Sequence, residues 1–175
     1  ADEAQGGASR LVAFKSVTPG YPLRGSVSVA EALDAPGAPT REIPAPGEVW
    51  VDAPLLDSLG LRLGDALLLG DASLRVTRVI TLEPDRGAGF MSFSPRVMVN
   101  DADVAATGLV QPASRVTYRL VVAGPPGPVR SFQDFVQQWL EQPGARGIRV
   151  ESLESGRGEM QQTLERAQNF LSLVA

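Results

Sequence analysis

The stretch from Gly64 to Leu82 constrains this chain more than any other, because strands alone satisfy it. Two Gly-Asp pairs, Gly64-Asp65 and Gly70-Asp71, bracket the apolar run Ala66 to Leu69. From Leu74 the side chains then alternate: Leu74, Val76, Arg78 and Ile80 fall on one face, and Arg75, Thr77 and Val79 on the other. A period of two between tight turn formers predicts a β-meander. The same period over Arg10 to Val17, with Leu11, Ala13 and Lys15 against Val12, Phe14 and Ser16, predicts a strand closed by the turn formers Pro19 and Gly20. Short strands follow at Ser26 to Ala30, Glu48 to Val51 and Arg96 to Asn100, and Val116 to Ala123 reads as the longest apolar strand. Asp34 to Gly47 is broken by prolines and glycines and has no apolar period, which predicts an exposed excursion.

Three helices interrupt this pattern. Ala53 to Leu59 can be capped by Asp52, takes Pro54 in its first turn and can end on a left-handed Gly60. A short helix capped by Asp101 runs to Ala106 and stops at Gly108. Val129 to Gln142 places Val129, Phe132, Val136, Trp139 and Leu140 on one stripe, and Pro143-Gly144 ends it. With a strand at Ile148 to Leu153, this helix would complete a right-handed βαβ unit with Val116 to Ala123. The predicted class is α+β: a mixed sheet with helices on one side, carrying an inserted lobe of short strands.

Composition narrows the chemistry. A chain of 175 residues can bury roughly 70% of its unfolded surface and needs no metal or disulfide to hold it. It has no His and no Cys, which removes imidazole and thiolate zinc sites, Ser-His-Asp and Cys-His nucleophile systems, and the usual neutral-pH base. Acidic residues outnumber basic ones, 20 to 16, and the basic residues are scattered singly, so nucleic acid is not an expected partner. No run reaches the roughly 20 apolar residues of a membrane span, and ADEAQGGASR reads as neither signal peptide nor anchor.

Motifs with apparent chemistry have simpler explanations. The Gly-Asp turns have Ala where an esterase block of the GDSL type has its nucleophile. Lys15 and Ser16 are strand neighbours on opposite faces, so one cannot activate the other. Asn100-Asp101-Ala102-Asp103 lacks the Gly and closing Glu of a calcium loop and reads as a helix cap. Gly87-Ala88-Gly89 has no third Gly and no following helix, and so is no nucleotide fingerprint. No metal, cofactor or catalytic residue is expected. The loop around those glycines carries Asp85, Arg86, Phe90, Met91 and Phe93, which are the candidate contact residues for a substrate, a membrane or a partner. Met160, Leu164, Ala167, Leu171 and Val174 recur at spacings of 4, 3, 4 and 3, which is a heptad seam.

Particular wording points further. EPDRGAGFMSFSPRVMVN from Glu83 to Asn100, QPASRVTYRLVVAG from Gln111 to Gly124, Gly20 to Gly25 (GYPLRG) and Val49 to Gly60 (VWVDAPLLDSLG) together resemble the first extracytoplasmic domain of YbbP-like ABC transporter permeases, relatives of the MacB, LolCE and FtsX permeases. The resemblance covers most of the chain, and departs from the family where Ala113 stands in place of a turn Gly. It implies a porter-like lobe over 1–24 and 114–175 and a smaller, mostly β lobe over 25–113. It also implies a location on the extracytoplasmic (periplasmic) side of the bacterial inner membrane. The seam helix would continue into a membrane segment and transmit motion driven by a separate cytoplasmic ABC ATPase, and a further membrane helix, with the opening strand and helix of the porter-like lobe, would precede Ala1. The substrate implied is hydrophobic or lipid-like, with a periplasmic thioesterase or lysophospholipase as a further partner and no catalysis in the domain itself. Two other readings stay open: a stand-alone binding or adaptor module with a closed apolar pocket, and an enzyme using carboxylates, Asp134 with Glu151 or Glu154.

Overall fold

The computed structural model describes residues 7–86, 94–142 and 147–152. The chain divides into two compact units, Ala1–Val121 and Val122–Ala175.

The first unit is built on a seven-stranded mixed sheet: β1 (Ala13–Val17), β2 (Val27–Ala30), β3 (Ala38–Thr40), β4 (Glu48–Asp52), β5 (Ala66–Leu69), β6 (Ala72–Leu82) and β7 (Arg96–Asn100). Its order is β1-β7-β4-β6-β2-β3, with β5 also on β6. The long strand β6 organises it. β4 runs parallel along one edge of β6, while β5 and β2 share the other edge, pairing with its first and last residues. β7 is antiparallel to β4 and parallel to β1. The hydrogen bonds of β1 therefore place Ala13–Val17 in the same sheet as the strands of residues 25–113.

The period of two divides the apolar residues between two faces, and a bulge in β6 at Thr77 corrects the expected faces by setting Val79 with Leu74 and Val76 and turning Ile80 to the opposite side. Val49, Val51, Val76, Val79, Val97 and Val99 belong to one core, which α1 (Ala53–Leu59) covers with Leu55, Leu56 and Leu59. Truncating one of these leucines to Ala removes about 2–5 kcal/mol. Trp50, Met98, Ile80, Val17, Val27 and Val29 form the opposite, smaller core, against which Tyr21 and Ile43 pack from the connections. Gly60 takes the expected left-handed conformation at the end of α1, with φ of 66°. Gly70 is equally constrained: its φ is 60°, and an added Cβ would meet the carbonyl oxygen of Thr107. This backbone approach is used, since Asp71 N donates to Thr107 O at 2.8 Å.

The α+β class stands, and several local expectations are corrected. The excursion 34–47 contains β3 and the packed Ile43, because an edge strand tolerates Pro39. Asn100, one residue earlier than expected, caps the turn Asp101–Asp103 by accepting from Ala102 N, and α2 (Val104–Thr107) follows. Residues 116–123 and 148–152 are not strands, so the expected βαβ unit is not formed. Alternation declares two faces but supplies no backbone partner, and a strand without a neighbour leaves its N–H and C=O groups to water.

In the second unit the helix forms as α3 (Pro126–Leu140), starting earlier than expected because its first turn accepts prolines. None of its residues is fully buried: Phe132 and Trp139 of the apolar stripe are exposed, as is Phe135 beside it.

Candidate functional site

At one end of the sheet, where β1 and β7 begin and β4 and β6 end, six charged side chains and one phenol converge. Lys15 on β1 is central. Its Nζ donates to Glu83 Oε1, to both Asp85 oxygens and to Tyr21 Oη, each at 2.8 Å. The ammonium also sits 4.3 Å from the centroid of the Tyr21 ring. Tyr21 Oη in turn donates to Asp85 Oδ1 at 2.5 Å. Glu83, whose side chain has 0% exposure, uses its second oxygen to accept from Arg96 Nε at 2.7 Å. Arg86 grips Asp52 with two nitrogens, at 3.1 and 2.6 Å, and Asp52 also accepts from Arg96 N at 2.9 Å.

Local sequence explains these positions. Lys15 shares the face of Ala13 and Val17, Asp52 that of Trp50, and Arg96 that of Met98, so all three point to the smaller core. The β4–β7 register sets Trp50 opposite Met98 and Val51 opposite Val97, which brings Asp52 level with Arg96. Asp52 stands at the N-cap of α1 as expected, yet makes no capping hydrogen bond, because Arg86 and Arg96 take its carboxylate.

The electrostatics follow from this packing. Burial raises the Tyr21 phenol above its ordinary range, reinforced by its hydrogen bond to Asp85 and the charges of Asp85 and Glu83. For Asp85, burial alone would raise the carboxyl, but the hydrogen bonds from Lys15 and Tyr21 and the charge of Lys15 outweigh it and lower it. The hydrogen bond to Asp52 raises Arg86, with burial opposing. Three cations meet three carboxylates, and the cluster is neutral. It fastens both stems of the intervening residues, Glu83–Arg86 on one side and Ser94–Arg96 on the other, to β1 and β4.

Of the candidate contact residues, Asp85 and Arg86 are therefore engaged within this network. Phe90, Met91 and Phe93 lie outside the described residues, as do Met160, Leu164, Ala167, Leu171 and Val174. Sequence reasoning missed Lys15, Tyr21, Glu83 and Arg96. One signal was present: a lysine at an inward position of a strand, between Ala13 and Val17, needs a buried counter-charge. Elsewhere, Ser16 Oγ donates to Asp101 at 2.9 Å. Glu151 makes an exposed pair with Arg149 at 3.8 Å. A separate open groove of about 480 Å³ lies between β2, β3 and Arg78, lined by Val29, Ala35, Pro36, Pro39 and Glu42. Among the described residues no acidic group is arranged to hold a metal ion, and no helix is long and apolar enough to cross a membrane.

Against known proteins, 170 residues of the chain, 97% of its length, are 34% identical to the uncharacterized ABC transporter permease YbbP of Escherichia coli (strain K12). The chain is similar to a segment of an ABC transporter permease. It spans 20% of YbbP, so the relative is far longer than the residues compared. No family model matches the chain, and no solved structure matches it.

Proposed function

We propose that this chain is an extracytoplasmic domain of an ABC transporter permease, held on the periplasmic face of the bacterial inner membrane. The observation that carries this reading is the 34% identity to YbbP, sustained over 97% of the chain. In this reading a cytoplasmic ABC ATPase drives the permease, and the domain passes the motion on to a hydrophobic or lipid-like substrate outside the membrane, without chemistry of its own. Met160, Leu164, Ala167, Leu171 and Val174 are the residues assigned to transmit that motion. Asp85, Arg86, Phe90, Met91 and Phe93 belong to the contact region, and a periplasmic thioesterase or lysophospholipase is the candidate protein partner. The division into a porter-like lobe, 1–24 with 114–175, and a β lobe, 25–113, belongs to the same proposal. It gives a use to the exposed apolar side chains of Tyr118, Leu120, Phe135 and Trp139, which a lobe completed by the rest of a permease would cover.

The reading is tested by topology. The chain has no Cys, so Leu33→Cys at an exposed position puts one thiol into a permease carrying this segment, after any cysteines elsewhere in that permease are replaced. Labelling by a membrane-impermeant maleimide in spheroplasts, with a thiol on the ATPase as the protected control, is the expected result. Labelling of Leu33→Cys only after lysis would overturn the periplasmic placement.

A further inference from the structure

The two carboxylates on Lys15 differ in standing. Glu83 is fully enclosed and holds Arg96 as well as Lys15. Asp85 comes from beyond the end of β6 at Leu82, and its side chain is 45% exposed. Yet Asp85, with two donor groups like Glu83, makes three contacts to them: Lys15 Nζ lies 2.8 Å from both of its oxygens, and Tyr21 Oη lies 2.5 Å from one of them. Donors converging on one oxyanion, reached from the solvent side, have the geometry of a ligand site.

Charge accounting supports the same view. With Asp85 in place, Lys15, Arg86 and Arg96 balance Asp52, Glu83 and Asp85. Withdrawing Asp85 leaves one positive charge in excess. Arg86 is held by Asp52, and Lys15 and Arg96 then share the one charge of Glu83, so the excess is exposed at Lys15, the cation that faces the place Asp85 leaves. We propose that Lys15 Nζ and Tyr21 Oη form an anion cradle that Asp85 fills as an internal ligand, and that a carboxylate or phosphate oxyanion from outside takes the place of Asp85. The contact is autoinhibitory: a tethered anion competes at high effective concentration, so an external one binds with its intrinsic affinity multiplied by the fraction of time Asp85 is away. Displacement frees the Asp85 stem from β1 while Glu83 keeps the inner pairs. This site stands independently of the transport reading.

The test is a titration of the 175-residue chain with inorganic phosphate, and separately with acetate, at ionic strength held constant with chloride, following the backbone amide resonances around Lys15 and Tyr21 by NMR. Asp85→Asn and Asp85→Ala are each expected to bind about tenfold tighter than the parent, a gain corresponding to about 1.4 kcal/mol. The alanine variant guards against an asparagine that keeps the hydrogen bond to Tyr21. Adding Lys15→Met to either variant is expected to abolish the gain. The proposal is overturned if neither Asp85 variant binds more tightly than the parent, or if the gain survives Lys15→Met. Phosphatidylglycerol vesicles, compared with phosphatidylcholine, distinguish the sources. Cosedimentation of Asp85→Ala with the anionic vesicles identifies a lipid headgroup, and a phosphate response without cosedimentation identifies a free anion, both through the same cradle.

Discussion

Replacing Glu83 with Gln removes one charge from the most enclosed point of the network and nothing from its volume. Both carboxylate oxygens are in use, on Lys15 at 2.8 Å and on Arg96 at 2.7 Å. After the change the single amide oxygen can accept from only one of the two cations while the amide N–H2 faces the other, and although Lys15 keeps Asp85 and Tyr21, Arg96 loses its carboxylate countercharge and keeps beside it only the Ala13 carbonyl at 3.5 Å. Stranding a buried charge costs about 3–5 kcal/mol. Because Lys15 and Arg96 are 21% and 13% exposed, water recovers part of this, and the expected loss is about 2–4 kcal/mol. Glu48→Gln is the control: it breaks a pair with Arg75 whose arginine is mostly exposed, which is worth less than about 1 kcal/mol. The assay is urea unfolding followed by the fluorescence of buried Trp50 in a Trp139→Phe background, with linear extrapolation. The corresponding fall in Tm is on the order of 10 °C. If Glu83→Gln costs no more than Glu48→Gln, the network does not carry the load assigned to it. A triple change, Lys15→Met with Glu83→Leu and Arg96→Met, should restore most of the loss, since it strands no charge within the Glu83 pairs.

Four further changes probe backbone and charge. In the turn closed by Ser114 N donating to Gln111 O, Ala113 holds a φ of 74° behind Pro112, the position where such a turn wants Gly; Ala113→Gly should therefore stabilise the chain by about 0.5–1 kcal/mol in the same urea assay. Gly70→Ala adds a left-handed penalty and a clash with the Thr107 carbonyl, so thermal unfolding should report a loss of about 2–4 kcal/mol. Because the folded-state carboxyl of Asp85 is lowered, its contribution is present above its unfolded value of about 3.9 and is lost as pH falls through the lower folded value. The stability gap between the parent and Asp85→Asn should thus stay level from pH 7 to 5 and close below about pH 4, and a gap already closing at pH 6 would contradict this. The phenol of Tyr21 is raised instead, so its contribution is complete below about pH 10 and is lost as pH rises beyond; Tyr21→Phe should leave the parent's alkaline absorbance titration without its latest phenol.

Much of the sheet was legible because period and punctuation agree there. Gly64-Asp65 and Gly70-Asp71 delimit β5, and Leu74 to Leu82 lies in β6, but a bulge at Thr77 breaks the expected alternation, so that Val79 joins Leu74 and Val76 in one core and Ile80 faces the other. Asp52, Pro54 and Gly60 bound α1 within a residue. What failed was pairing. Val116 to Ala123 is as apolar as β6, yet β6 has strands on both edges and the later segment has none among the described residues. The left-handed turn at Ala113 was hidden for the opposite reason. Its residue type argues against the conformation, and only the surrounding hydrogen bonds enforce it.

The site was illegible because it depends on register, which a single sequence does not declare. Lys15, Asp52, Glu83 and Arg96 are far apart in the chain, and each has an innocent local role as a strand residue, a cap or a strand end. Fixing one pair, Trp50 opposite Met98, is enough to bring Asp52 beside Arg96. Fixing a second, Lys15 level with Met98 through the parallel β1–β7 ladder, brings the lysine to the same face. Burial then selects among the remaining partners. An inward lysine beside Ala13 and Val17 cannot stay unpaired, and Glu83, where β6 gives out, supplies the carboxylate. The same logic separates the two tiers of the cluster. The carboxylate that completes the buried pairing holds the fold, and the one that arrives afterwards, half in water, is the one a ligand can replace.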